Sequence, residues 1–350
     1  MLELLGEANS AALIGLIGGL ALGLAARVGR FCTLGAIEDV LYSSDDRRMR
    51  MWAIAIGTAI LTTHLAMSQS MLTGSDTAYL DRVWNPLATI VGGLIFGYGM
   101  ALSGNCGYGA LARLGGGDLR SFVIVLVMGL SAYLVMSGPL AHARIWLFPV
   151  EDAATTPQGF SQLAAASGLP HGLTGVMIGG AILALALTSR EMRASPGHIF
   201  WGIVVGLAVT TGWIGTTWIA TTGFGNEPIE THTFAGPIGD TIYYAMTASG
   251  NELSFSVGSV AGVVIGAFLG SFSKGHFRWE ACEDPRELRR QMTGAALMGG
   301  GAVLAVGCSI GQGLSAFSVL AYSAPVTFIA IFAGAAFGLR QLISGFAPAE

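Results

Sequence analysis

Three cysteines of this chain sit in similar surroundings: Cys32 in GRFCTLGAIED, Cys106 in LSGNCGYGALARLGGG and Cys308 in AVLAVGCSIGQGLSAFS. A lone cysteine in an apolar chain is ordinarily a small buried hydrophobe with a weak S–H donor. Three of them beside glycine-rich helix breaks suggest a shared task. A thiol is soft and polarizable, and it donates a weak hydrogen bond without the desolvation cost of a charged side chain. An anion can pass between such donors and still be released, as passage requires. Backbone N–H groups at the start of short helices after Cys106 and Cys308 would add anion affinity without a full charge. Asn105, Tyr108 and Gln312 offer neutral hydrogen bonds, while Gly107, Gly307, Gly311 and Gly313 mark where the helix ends.

Other thiol chemistries fit less well. There is no CxxC pair, no cysteine stands at zinc-type spacing from a histidine, and the six histidines are dispersed, so no metal site is expected. A cysteine persulfide handing sulfur to a partner is an alternative. No recognisable soluble catalytic domain accompanies the cysteines, and the reading is not that of an enzyme. No cofactor is implied. The fourth cysteine, Cys282, lies in a charged loop and is left outside the set. His64 falls inside an apolar run, where it is either functional or bonded to a neighbouring helix. Arg30 and Arg113 read first as positive-inside charges.

These residues must be positioned by membrane helices. The 350 residues are 53% hydrophobic and 11% charged, against about 25% charged in a soluble domain. The 52 glycines suit close helix packing in lipid. Net charge is −4, and the scattered basic residues give no sign of nucleic acid. The acidic opening MLELLGEANS lacks the positive region of a cleaved signal, so the first apolar run reads as a retained helix. Nine runs approach bilayer length, at about 10–29, 51–69, 86–104, 121–138, 171–189, 197–215, 255–272, 293–307 and 324–343. Placed on nine crossings, all of the 17 Lys and Arg except Arg82 and Arg144 fall on one side. The positive-inside rule makes that side cytoplasmic, with the N-terminus outside and the C-terminus inside. The long outer segments are then 139–170 and 216–254, and the Gly, Thr and Pro content of the second reads as irregular structure with short interfacial helices. The second carries Glu227, Glu230, Asp240 and Glu252 and no Lys or Arg, an outer surface that would not attract anions.

Aligning Cys106 with Cys308 places Gly97, Gly99 and Gly109 on Gly299, Gly301 and Gly311. The topology puts Cys106 near the cytoplasmic end of its span and Cys308 near the outer end of its own. The two units therefore point in opposite directions, as in transporters built from inverted repeats. Segments 104–119 and 305–323 are too short to cross and would fold back as re-entrant half-helices. The expectation is one all-α transmembrane domain over 1–350, with repeat halves at 1–138 and 171–350 joined by the outer segment 139–170. The glycine runs GLIGGLALG and GVVIGAFLG read as ordinary helix packing.

The stretches GRFCTLGAIED, LSGNCGYGALARLGGGDLRS and FRWEACEDPRELRRQMTGAALMGGGAVLAVGCSIGQGLSAFS resemble the YeeE/YedE sulfur-transport family of bacterial membrane proteins. The resemblance covers most of the chain and is weakest over 139–250. It implies a bacterial inner-membrane transporter that takes up a small sulfur-containing anion, thiosulfate foremost, along a cysteine-lined pathway. Carried over by motif, Cys308 and Cys106 become the pathway thiols and Cys32 the third. Asn105 stands where relatives often show glycine. A cytoplasmic sulfurtransferase would suit as a partner consuming the cargo, since the chain has no G-x-x-x-x-G-K-[ST] motif for ATP. The alternatives are a permease for selenium species or another small anion, and the persulfide carrier.

Overall fold

A computed structural model describes residues 2–72, 77–149, 154, 157–166, 168, 170–223, 227–282 and 284–345. It is built from helices, and the described residues contain no strand, only isolated bridges at Asp118–Glu280 and Gly159–Ala321. The long helices are α1 (Glu7–Arg27), α3 (Arg47–Ser68), α4 (Pro86–Ser103), α6 (Leu119–Met136), α8 (Pro196–Thr222), α10 (Phe255–Ser273), α11 (Pro285–Leu304) and α13 (Ser323–Ser344). Between them stand shorter ones: α2 (Thr33–Glu38), α5 (Gly107–Gly115), α7 (His171–Ala186), α9 (Ala235–Thr247) and α12, over 309–318, whose centre Gly311–Ala316 is wound as a π-helix.

Among the described residues, seven helices are long and apolar enough to cross a bilayer: α1, α3, α4 taken together with α5, α6, α8, α10 and α13. The other two expected spans are α7 and α11. The first has 16 residues, below the usual crossing length. The second opens on the charged turn PRELRR, which lowers its hydropathy. Helix starts follow local rules. Asn85 and Ser254 accept from the backbone N–H three residues on, and Asp118 and Asp284 from the N–H two residues on. Pro86 and Pro285 take first-turn positions where no intrahelical donor is needed.

The expected glycine packing is present. Gly15, Gly19 and Gly23 of α1 interleave with Gly258, Gly262 and Gly266 of α10, and a Cβ on Gly19 would fall 2.3 Å from the Ser259 carbonyl oxygen. Small residues let the two backbones touch, which is what holds helices together in lipid. The remaining packing is reciprocal. Helix α1 lies on α10 and α3 on α8; α4 lies on α13 and α11 on α6; α4 and α11 pack on each other, as do α1 and α8. The short helices follow suit, with α5 against α10, α12 against α3, α9 against α6 and α2 against α13.

The two outer segments are partly helical. In 139–170 the described residues carry the short helices Leu140–Leu147 and Phe160–Ala166, and residues 150–153, 155, 156, 167 and 169 lie outside the described residues. In 216–254, α8 runs on to Thr222, and the chain then turns inward rather than along the surface. Phe234, Ala235 and Ile238 are buried, and α9 packs on α6.

Candidate functional site

One backbone device recurs at all three cysteines. Two residues before each, the chain takes a left-handed turn that ends the preceding helix: Arg30 at φ 56°, Gly104 at 72° and Val306 at 55°. Only one of the three is glycine, so two breaks are held by residues that pay for this conformation. The cysteine then starts a new, short helix. Cys32 and Cys106 are the extended N-caps of α2 and α5, and Cys308 directly precedes α12.

The thiols differ in their partners. Cys106 Sγ accepts from the Gly109 N–H at 3.4 Å. Cys308 Sγ accepts from the Gly311 N–H at 3.5 Å and the Phe234 N–H at 3.4 Å, with Thr233 Oγ1 at 3.7 Å. Cys32 is half-buried and has no cap hydrogen bond. Where backbone N–H groups point at the sulfur, its lone pairs are occupied and its hydrogen is left to donate to another acceptor. Cys106 is the middle thiol, within electrostatic range of both Cys32 and Cys308 and beside the Ser309 hydroxyl. Ser309 Oγ stands beside this thiol without the geometry of a hydrogen bond and has no other partner.

Aromatic rings link the three breaks. Phe31, next to Cys32, stacks on Trp52 at 4.6 Å and meets Tyr108 edge-on at 6.4 Å. Tyr108 lies 5.4 Å from Phe234, the residue whose N–H reaches Cys308. The Tyr108 hydroxyl donates to the Leu22 carbonyl at 2.6 Å. Gln312 is fully engaged: Nε2 donates to the Ala305 and Val306 carbonyls at 2.9 and 3.0 Å, and Oε1 accepts from Ser323 and Thr327. It therefore ties down the end of α11 just before Cys308. Asn105 is buried with both Nδ2 and Oδ1 unpaired.

The glycines differ as well. Gly307 has φ +151°, a conformation side chains avoid. A Cβ on Gly311 would lie 2.5 Å from Thr233 Oγ1, one on Gly313 3.0 Å from the Phe328 ring, and one on Gly107 2.7 Å from the Met128 sulfur. Gly311 thus keeps Thr233 against Cys308.

A cavity of about 450 Å³ opens from the face carrying Arg82 and Arg144 and reaches Thr233, Gly307 and Gln312. Those two arginines are the charged residues of its described lining, with Tyr79, Trp84 and Gln158 among its polar ones. The two arginines give this cavity mouth positive charge that the acidic segment 216–254 does not carry. Glu227 and Glu252 line a separate cavity of about 870 Å³ beside Glu7, remote from the thiols. Glu230 accepts from Ser256 in a buried setting. Arg144 is held in place by donating to the Val135 carbonyl at 3.2 Å.

Other residues weighed from sequence have local partners or lie at the surface. His64 is buried with Nδ1 3.0 Å from the Ile60 carbonyl and packs on Gly175 of α7. Cys282 is exposed. Asp39 pairs with Arg48 at 3.1 Å. Arg113 donates to the Gly104 carbonyl at 3.2 Å. Thr233, Phe234 and Ser309 were not singled out from sequence, and Arg82 and Arg144 were noted only as the basic residues on the other side. The run HTFAGP, ending in a helix-start proline, was the available signal for the first two.

Comparison with known proteins gives one consistent result. The family model described as Sulphur transport matches residues 28–337. The thiosulfate transporter TsuA of Escherichia coli is 26% identical over 327 residues, spanning 86% of this chain and 86% of that protein. Its namesake from Spirochaeta thermophila is 27% identical over 336 residues, spanning 88% and 92%.

Proposed function

The chain belongs to the sulphur transport family, a family of membrane transporters rather than enzymes, and on that premise we propose that it carries thiosulfate inward along its three thiols. The observation that carries this reading is the recurrence of one helix break, three times, each presenting a neutral thiol at the start of a short helix. The arginine-lined cavity leads to the first of them, Cys308. An anion drawn in by Arg82 and Arg144 would meet Thr233 and the Cys308 thiol, pass to Cys106 and leave past Cys32. Each contact is a hydrogen bond to a neutral donor, and no bond forms to sulfur. The helix starts at α5 and α12 add positive potential from opposite sides without a fixed charge that would trap the anion.

The proposed topology has the N-terminus outside, the C-terminus in the cytoplasm and the protein in the bacterial inner membrane. Arg27 lies against Gly116, and Arg120 pairs with Asp118 and Glu280, so basic groups from distant loops gather at one end. Arg82 and Arg144 share the other. Nine crossings would include α7 and α11. The inverted repeat pairs the order long–short–long–long–short–long over α1–α6 with the same order over α8–α13. The reciprocal packing described above is what such a twofold exchange requires. The halves 1–138 and 171–350 fit this pattern, with α7 standing outside the six-helix run. A cytoplasmic sulfurtransferase that consumes the cargo would supply the inward pull.

The test is growth on thiosulfate as sole sulfur source in a strain lacking its own sulfate and thiosulfate importers. Wild type should rescue, and Cys308→Ala and Cys106→Ala at equal membrane level should not. Rescue by all three would remove the thiols from the mechanism. A well-expressed wild type that fails while importing a selenium species would move the assignment to the other cargo. A stable persulfide on Cys106 or Cys308, seen by mass spectrometry, would favour sulfur transfer.

A further inference from the structure

Each of the three thiols has a sequence neighbour whose polar atoms are buried and unpaired. Thr33 follows Cys32 and is 2% exposed, Asn105 precedes Cys106 at 1%, and Ser309 follows Cys308 at 0%. Thr33 Oγ1, Asn105 Nδ2 and Oδ1, and Ser309 Oγ have no hydrogen-bond partner. Orphaned polar atoms at such depth are rare and costly. Finding one beside every thiol is not expected of a site built only to pack. The other polar groups here are committed elsewhere: the Tyr108 hydroxyl to Leu22, and both donors and the acceptor of Gln312 to backbone and hydroxyl partners.

We propose that Thr33, Asn105 and Ser309 bind the oxygen end of the travelling anion while Cys32, Cys106 and Cys308 face its sulfur end. This deepens the transport reading and rests on it. Each station then offers one soft donor and one hard donor. A thio-oxyanion satisfies both, whereas a bare sulfide leaves the hard donor unpaired and a simple oxyanion leaves the thiol without its soft partner. Specificity from unpaired polar groups is stronger than specificity from size, because the wrong ligand leaves a buried group unsatisfied. Ser309 lies beside Cys106 as well as next to Cys308, so its hydroxyl can stay on the oxygens while the sulfur end changes thiols. Asn105 carries both donor and acceptor atoms, and its amide donates to an oxyanion as readily as a hydroxyl does.

The test is uptake of labelled thiosulfate into proteoliposomes by wild type and by Thr33→Val, Asn105→Ala and Ser309→Ala. The readout is KM separately from the maximal rate. The expected result is a KM raised about tenfold or more for Asn105→Ala and Ser309→Ala, and less for Thr33→Val. Loss of folded protein lowers the maximal rate and leaves KM in place, so a purely structural role has a different signature. Wild-type KM in all three variants overturns the inference and leaves the transport reading standing. Wild-type protein that moves no thiosulfate overturns both.

Discussion

The breaks at Cys106 and Cys308 are the same device in different company. Each has a left-handed residue two positions earlier, and each sulfur accepts from the N–H three positions on. At Cys308 a second chain segment joins in, bringing the Phe234 N–H and Thr233 hydroxyl onto the sulfur. At Cys106 the second segment is the start of α12, which brings the Ser309 hydroxyl, and the other two thiols lie within electrostatic range. Cys308 adjoins the open cavity through Thr233 and Gly307, while Cys106, equally buried, is enclosed away from it. Local sequence makes a thiol-capped helix start. The segments packed around it decide whether that start receives cargo from outside or hands it on.

The largest effect should come from removing the thiols themselves. A hydrogen bond to a charged partner in a dry site contributes about 1.5–3 kcal/mol, so Cys308→Ala and Cys106→Ala should each lower uptake on the order of 10- to 100-fold. Cys32→Ala, at the half-buried station, should cost less. Equal losses at all three positions would erase the comparison.

Next comes a methyl group at equivalent glycines. At Gly311 the added carbon meets Thr233 Oγ1 at 2.5 Å, whereas at Gly109 its nearest neighbour is Asn105 Cβ at 3.3 Å. Gly311→Ala should lower uptake roughly tenfold by pushing Thr233 off Cys308, an order of magnitude set by one displaced hydrogen-bond donor. Gly109→Ala should stay within about two- to threefold, since only a small shift is needed. Uptake assays at matched expression read both. A more damaging Gly109→Ala would show that the enclosed station is the tighter one.

The smallest effect should be electrostatic. Neutralising the cavity mouth with Arg82→Gln and Arg144→Gln should raise the thiosulfate KM by a few fold, and less so at high salt, because steering by partly exposed charges is screened. A salt-independent change would place these arginines in direct binding. A membrane-impermeant thiol reagent provides a complementary reading: it should label Cys308 from the arginine face and Cys282 from the opposite face, and spare Cys106.

Much of this was legible in the sequence because membrane burial imposes simple rules. Apolar runs located the long helices, and glycine-flanked cysteines marked the breaks. Seven of the expected spans pass as crossing helices, while α7 and α11 fall short in length or hydropathy. The breaks at Arg30 and Val306 carry no glycine at the left-handed position, so glycine content alone could not locate the turn. The inward path of 227–247 was missed because its Thr, Gly, Pro and acidic residues look like a surface loop. Their burial follows from partners contributed by α6, α10 and α12.

The sequence by itself determined that this is a helical membrane protein with thiols at helix breaks, since hydropathy, charge placement and helix termination are local properties. Only the tertiary structure decided which groups those thiols meet. Thr233 and Phe234 reach Cys308 from 75 and 74 residues away. Arg82 and Arg144 share one cavity although 62 positions separate them. Asn105 and Ser309 are left without a hydrogen-bond partner because the segments packed around them bury their side chains and bring no matching group. Proximity and desolvation arise from the packing of distant segments, which no local pattern encodes.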